Sequence, residues 1–133
     1  MTFREKSAIV QIAAIVLAYG IVGLRLWGHP LTLPGAIAAL FIMTVLMIVI
    51  VAAAHMALVL SRTPEQTDER DTMVALRGAR NGYYALAAGV WCVLMLTITA
   101  RPYSLLLLAT MGAFVLAELV RLVSQLVYYR RAL

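Results

Sequence analysis

Three polar residues interrupt an apolar stretch near the C-terminus of this 133-residue chain. Glu118, Arg121 and Gln125 occur at spacings of three and four in FVLAELVRLVSQLVYYRR (114–131). In a helix these spacings place the three side chains on one face. An ionisable side chain in an apolar helix is costly unless it is paired or reaches water, so we treat this face as a candidate functional site.

The composition indicates a membrane protein. Hydrophobic residues make up 64% of the chain, whereas soluble domains are about 45–50% apolar. The net charge is +5, but the basic residues flank apolar segments, which indicates contact with the anionic headgroups of a lipid bilayer and not with nucleic acid. Since Cys92 is the only cysteine, the chain has no internal disulfide and no cysteine-based metal cluster.

Four apolar segments are long enough to cross a bilayer, which takes about 20 helical residues. Their approximate limits are 7–27, 34–60, 83–100 and 102–128. Prolines in GHPLTLPG (28–35) and ARP (100–102) mark two short connections. We therefore predict an all-α membrane fold: a single-domain bundle of four transmembrane helices, arranged as two helical hairpins.

Basic residues are distributed unevenly between the two sides of this arrangement. Arg25 and Arg101 fall on one side. Eight others fall on the opposite side: Arg4, Lys6, Arg62, Arg70, Arg77, Arg80, Arg130 and Arg131. Because cytoplasmic segments carry the excess of lysine and arginine, both termini and the central connection are predicted to be cytoplasmic.

Polar residues on three of the predicted helices share the inner edge of the bilayer. At about 1.5 Å per residue, Glu118 lies about 24 Å along the fourth helix and His55 about 31 Å along the second. Gln11 lies about one turn inside the first helix. We predict an intramembrane polar cluster with these members: Glu118, Arg121, Gln125, His55 and Gln11.

Three interpretations of this cluster are open. In the first, Arg121 reaches the headgroups while pairing with Glu118, and the other polar residues are simply interfacial. Alternatively, the cluster faces inward, where Glu118 and His55 exchange protons or bind a polar or cationic ligand. Third, Glu118 and Arg121 are satisfied across a subunit interface. Haem ligation by His55 would require His29, which is predicted at the opposite membrane face, so we expect no cofactor.

Residues 61–82, SRTPEQTDERDTMVALRGARNG, form the one soluble-looking segment. Thr63, Pro64 and Gln66 make a capping-box start, and acidic residues precede basic ones as the helix dipole favours. We predict a short cytoplasmic amphipathic helix at 64–80. Its charged residues either keep the loop solvated or bind a partner, and these residues are Asp68, Glu69, Arg70, Asp71, Arg77 and Arg80. A divalent-metal site is a third interpretation, but the spacing of the carboxylates is a poor match to known metal sites.

Small residues at four-residue spacing predict where helices approach closely. Ala109, Ala113 and Ala117 form such a ladder on the fourth helix, and Ala85 and Gly89 form a shorter one on the third.

Several motifs together resemble a family of small, functionally uncharacterised four-helix inner-membrane proteins of proteobacteria. The motifs are FREKSA (3–8), His55, DERD (68–71) followed by Arg77, Arg80 and Tyr83, and AELVRLVSQLVYYRR (117–131). The resemblance spans nearly the whole chain. It implies a multi-pass protein of the bacterial inner membrane and no established activity.

Two functions fit these features. The first is a non-enzymatic integral inner-membrane protein, a homo-oligomer or an accessory or assembly subunit of a larger membrane complex with a cytoplasmic docking loop. The alternative is a minimal proton-coupled small-molecule transporter acting as a dimer, similar in size to the small multidrug-resistance type, with Glu118 as the coupling carboxylate. Such transporters place that carboxylate on the first helix near mid-bilayer, whereas Glu118 lies on the fourth helix near its edge.

Overall fold

The computed structural model describes residues 3–26, 30, 32–60 and 69–131, with the side chains of 3, 4, 26, 54, 55, 57 and 58 excepted. The described chain forms four α-helices: α1 (Phe3–Leu26), α2 (Leu33–Leu60), α3 (Glu69–Ile98) and α4 (Tyr103–Arg131). Each is long and apolar enough to cross a membrane. The prediction of an all-α, four-helix protein is confirmed.

The helix ends follow from local chemistry. At the start of α2, Thr32 accepts a hydrogen bond from the Gly35 amide through Oγ1 at 3.3 Å, which is N-terminal capping by a hydroxyl. Beyond α3, Ala100 adopts a left-handed backbone with φ of 52° and donates its amide to the Thr97 carbonyl at 3.1 Å. Pro102 then precedes α4, so the predicted break at ARP is where the chain changes helix.

The N-terminal part of α3 differs from the prediction. The sequence predicts an amphipathic helix at 64–80 followed by a separate span at 83–100, but residues 69–98 form one continuous helix. Residues 64–68 lie outside the described residues. Between 69 and 98 there is no proline to interrupt the backbone hydrogen bonds, and Asn81 and Gly82 both contact α4 instead of ending the helix. The charged segment is therefore a direct extension of an apolar helix.

The helix α4 lies at the centre of the packing. It contacts all three other helices, most extensively α3, and α1 also packs against α2. Within the described residues, no Cα atom of α3 lies within 8 Å of a Cα atom of α1 or α2. Ala8 and Ile15 of α1 form a buried cluster with Leu122 of α4. A second cluster joins Val22 of α1 to Ala39 and Met43 of α2.

Glycines bring α3 and α4 into close contact. A Cβ atom added to Gly89 would lie 2.6 Å from Ala113 Cβ, and one added to Gly82 would lie 3.0 Å from the Ala117 carbonyl oxygen. A Cβ atom on Gly78 would overlap Gln125. Residue numbers rise along α3 as they fall along α4 in these contacts, so the two helices run antiparallel.

Large apolar side chains cover the outer faces of the helices. Phe41 is 68% exposed, Trp91 64% and Phe114 56%. Such a surface is unfavourable in water and is the one expected in contact with hydrocarbon or with another apolar helix.

Candidate functional site

The residues Glu118 and Arg121 form an ion pair one turn apart on α4. Arg121 Nε donates to Glu118 Oε2 at 2.8 Å, and Arg121 Nη2 donates to Oε1. The fork of the guanidinium thus meets both carboxylate oxygens, the geometry in which such a pair is strongest. The side chain of Glu118 is 42% exposed and that of Arg121 is 34% exposed, so the pair lies at the edge of the packed helices.

Packing against α3 fixes the base of Arg121. A Cβ atom added to Gly82 would lie 2.9 Å from Arg121 Cβ, and one on Gly78 would lie 3.0 Å from the Arg121 carbonyl oxygen. Because α3 approaches so closely here, the first carbon of the Arg121 side chain is held against glycine, and its far end bonds Glu118. The pair is therefore coupled to the α3–α4 contact.

A polar cleft of about 190 Å³ lies between α1, α3 and α4. On α1, Gln11 Nε2 donates to Ser7 Oγ at 3.3 Å. Arg121 and Gln125 face them from α4. The complete lining among the described residues is Ser7, Ala8, Gln11, Ala75, Arg121, Leu122, Gln125 and Tyr129.

This cleft brings together much of the predicted polar cluster. Gln11, Arg121 and Gln125 share its lining, whereas Glu118 is outside that lining and is joined to it through Arg121. The side chain of His55 lies outside the described residues. Amide, hydroxyl and guanidinium groups can donate hydrogen bonds to a polar molecule or to water.

The predicted docking residues separate into two groups on the first turns of α3. Arg70 Nη2 donates to the Tyr129 carbonyl at 3.4 Å, and the Arg77 guanidinium lies 5.9 Å from the centre of the Tyr128 ring. Both arginines therefore contact α4. Glu69 and Arg80 are exposed and Asp71 is half-buried; Asp68 lies outside the described residues.

The structure contains a polar contact between α3 and α4 that the sequence patterns do not predict. Asn81 Nδ2 lies 3.1 Å from Ser124 Oγ and 3.3 Å from Tyr128 Oη, and it donates to both. The spacing of Gly78 and Gly82, a small-x-x-x-small pattern typical of close helix pairs, was the available signal. Asn81 precedes the second of these glycines directly.

Comparisons of the chain with protein-family models, with curated proteins and with solved structures gave no match. The family resemblance inferred from the motifs therefore stays a prediction. Function has to be inferred from the geometry of the four helices.

Proposed function

We propose that the protein is a non-enzymatic assembly subunit of the bacterial inner membrane. In this proposal the four helices cross the bilayer as two hairpins, with both termini and the connection between α2 and α3 in the cytoplasm. The apolar outer faces contact lipid and neighbouring subunits, either further copies of this chain or another membrane protein.

The observation that carries the proposal is the pairing of Glu118 with Arg121 on its own helix. Both carboxylate oxygens accept hydrogen bonds from the guanidinium, and Arg121 in turn packs on Gly82 of α3. An internally satisfied pair of this kind stabilises one arrangement of helices at low dielectric constant. Glu118 also lies outside the lining of the polar cleft.

The distribution of contacts supports an assembly role. Within the described residues the backbone of α3 closely approaches only α4. Side chains on other faces of α3, among them Trp91 and Met95, are exposed. Such a surface can contact lipid or a helix of a neighbouring subunit. At the cytoplasmic end, Glu69 and Arg80 are exposed and can form charged contacts with a partner.

A proton-coupled transporter is the second candidate, and the cleft between α1, α3 and α4 favours it. Polar groups of Gln11, Arg121 and Gln125 converge there, as in a binding site for a small polar molecule. Glu118, however, would have to exchange its bond with Arg121 for one with substrate or water in each transport cycle.

Two measurements test these candidates, because a transporter of this size would also act as a dimer and the number of chains alone does not separate them. The protein is extracted from native membranes in polymer-bounded lipid particles, and native mass spectrometry reports the chains in each particle. We expect two or more chains per particle; single chains throughout would contradict the assembly role.

In parallel, purified protein in liposomes is tested for uptake of ethidium driven by a proton gradient. We expect no uptake, and uptake that Glu118→Gln abolishes but Glu69→Gln preserves would establish the transporter instead.

A further inference from the structure

A second cleft lies at the end of the molecule where α3 begins and α4 ends. Its volume is about 510 Å³, within the range of about 300–1,000 Å³ typical of small-molecule sites. Three arginines contribute to its walls, together with one aromatic and two aliphatic residues: Arg70, Met73, Val74, Arg77, Tyr128 and Arg131. Neither the proposed assembly role nor the Glu118 pair uses this cleft.

The helical positions concentrate positive charge on this side of α3. Arg70 and Arg77 are seven residues apart, so they lie on the same face, about 10 Å apart along the helix. At about 100° per residue, Glu69 and Asp71 point about 100° to either side of Arg70. Accordingly, the lining contains three guanidinium groups and, among the described residues, no carboxylate.

Contacts with α4 hold two of the arginines in place. Arg70 donates to the Tyr129 carbonyl at 3.4 Å, close to the end of α4, where the last carbonyl groups of a helix lack backbone partners. Arg77 stacks over Tyr128, whose hydroxyl accepts a hydrogen bond from Asn81. Each guanidinium has five N–H donors, so both arginines retain donors for a ligand after these contacts.

The carboxylate of Glu118 is bound by Arg121 on α4. Arg70, Arg77 and Arg131 are all exposed. Guanidinium groups bind phosphate oxygens through paired hydrogen bonds. The chemistry of the cleft is thus that of a phosphate site with an apolar wall formed by Met73, Val74 and the Tyr128 ring.

We propose that this cleft binds the phosphate-bearing headgroup of an anionic phospholipid. The inference rests on the proposed membrane placement, which puts the start of α3 and the end of α4 at the cytoplasmic surface. There the arginines meet the headgroup layer, and the apolar wall suits the glycerol and upper acyl segments. Anionic lipid is concentrated in that layer, and basic residues near the surface are attracted to it.

The test measures lipid binding by native mass spectrometry of delipidated protein in detergent, titrated with phosphatidylglycerol or with zwitterionic phosphatidylcholine. We expect wild type to prefer phosphatidylglycerol. The double variant Arg77→Gln/Arg131→Gln should bind it at least about tenfold more weakly. The matched control, Arg80→Gln/Arg130→Gln, removes two neighbouring exposed charges outside the cleft and should change the affinity by less than about twofold.

The single variant Arg131→Gln tests the cleft even if the double variant does not fold. Arg131 is exposed at the last described turn of α4, so its loss should leave the melting temperature unchanged and weaken binding by about fivefold. Equal losses of affinity for phosphatidylglycerol in the cleft double variant and in the control double variant would show that binding depends only on diffuse surface charge. That result would overturn the proposal. Displacement of the lipid by millimolar glycerol phosphate or inorganic phosphate would identify a soluble phosphate ligand and overturn the lipid assignment.

The chain count in native lipid particles separates this inference from the assembly role. If wild type shows no preference for phosphatidylglycerol while the native particles still hold two or more chains, only the lipid site is contradicted. Single chains that still bind phosphatidylglycerol through Arg77 and Arg131 support the lipid site and contradict only the assembly role.

Discussion

At the scale of single residues, Glu118 has a structural role if its ion pair with Arg121 persists and a chemical role only if that pair opens. Its two hydrogen bonds join side chains one turn apart on the same helix, and Arg121 also packs against Gly82. Half-exposed pairs in water contribute little, but the same pair in the low dielectric constant of a membrane contributes more. We therefore expect the pair to stabilise the α3–α4 contact.

Removing one partner should reveal this contribution. Glu118→Gln loses the ionic bond, so we expect the free energy of unfolding to fall by about 1 kcal/mol. Arg121→Leu should cost more, because it leaves the Glu118 charge uncompensated in apolar surroundings. Thermal or denaturant unfolding in detergent measures both effects.

Glu69→Gln is the matched control for this experiment. It removes an exposed carboxylate at the start of α3 and should change stability by less than about 0.5 kcal/mol. If Glu118→Gln and Arg121→Leu both unfold like wild type, the pair has no structural role.

At the scale of helices, glycine decides how closely α3 approaches α4. In Gly89→Ala the new methyl group would lie 2.6 Å from Ala113 Cβ, a distance that a single methyl group on a helix cannot relieve by changing rotamer. The helices must separate, so we expect a loss of about 1–3 kcal/mol in unfolding free energy. Unfolding in detergent measures it.

Gly112→Ala is the matched control on α4. An added Cβ atom at Gly112 meets nothing within 4 Å, and alanine favours helix over glycine by about 1 kcal/mol or less. Stability should therefore stay constant or rise. A fall of the same size in both variants would contradict the assignment of the Gly89→Ala effect to the α3–α4 contact.

At the scale of the whole molecule, charge separates the two ends of the bundle. Arg25 and Arg101 lie at one end, whereas Arg70, Arg77 and Arg131 lie at the other. Lysine and arginine remain preferentially on the cytoplasmic side during insertion. The asymmetry therefore predicts which end faces the cytoplasm.

Cysteine labelling in intact cells tests this orientation. On a Cys92→Ser background, Tyr103→Cys places a thiol at the exposed start of α4, and Thr72→Cys places one at the exposed start of α3. A membrane-impermeant maleimide should label Tyr103→Cys in intact cells and Thr72→Cys only after the cells are opened. The reverse pattern would mean that the termini are outside.

The features that can be predicted from the sequence alone depend on interactions between residues close together in the chain. Apolar segments of sufficient length specify four helices, proline at 102 specifies the break between α3 and α4, and the spacing of Glu118 and Arg121 is enough to make them partners. Each of these outcomes depends on residues within a few positions of one another, which is the range over which helix periodicity and proline geometry act. The membrane placement follows from the same hydropathy and remains a prediction.

The tertiary structure decided which helices meet and how closely. Composition suggested a separate loop helix, but charged residues do not end a helix, and contacts of Asn81 and Gly82 with α4 accompany one continuous helix through this region. The convergence of Gln11 with Arg121, and of Arg70 with Tyr129, joins residues more than fifty positions apart. Local sequence periodicity shows which face of a helix is polar, but only packing against the other helices fixes what that face contacts.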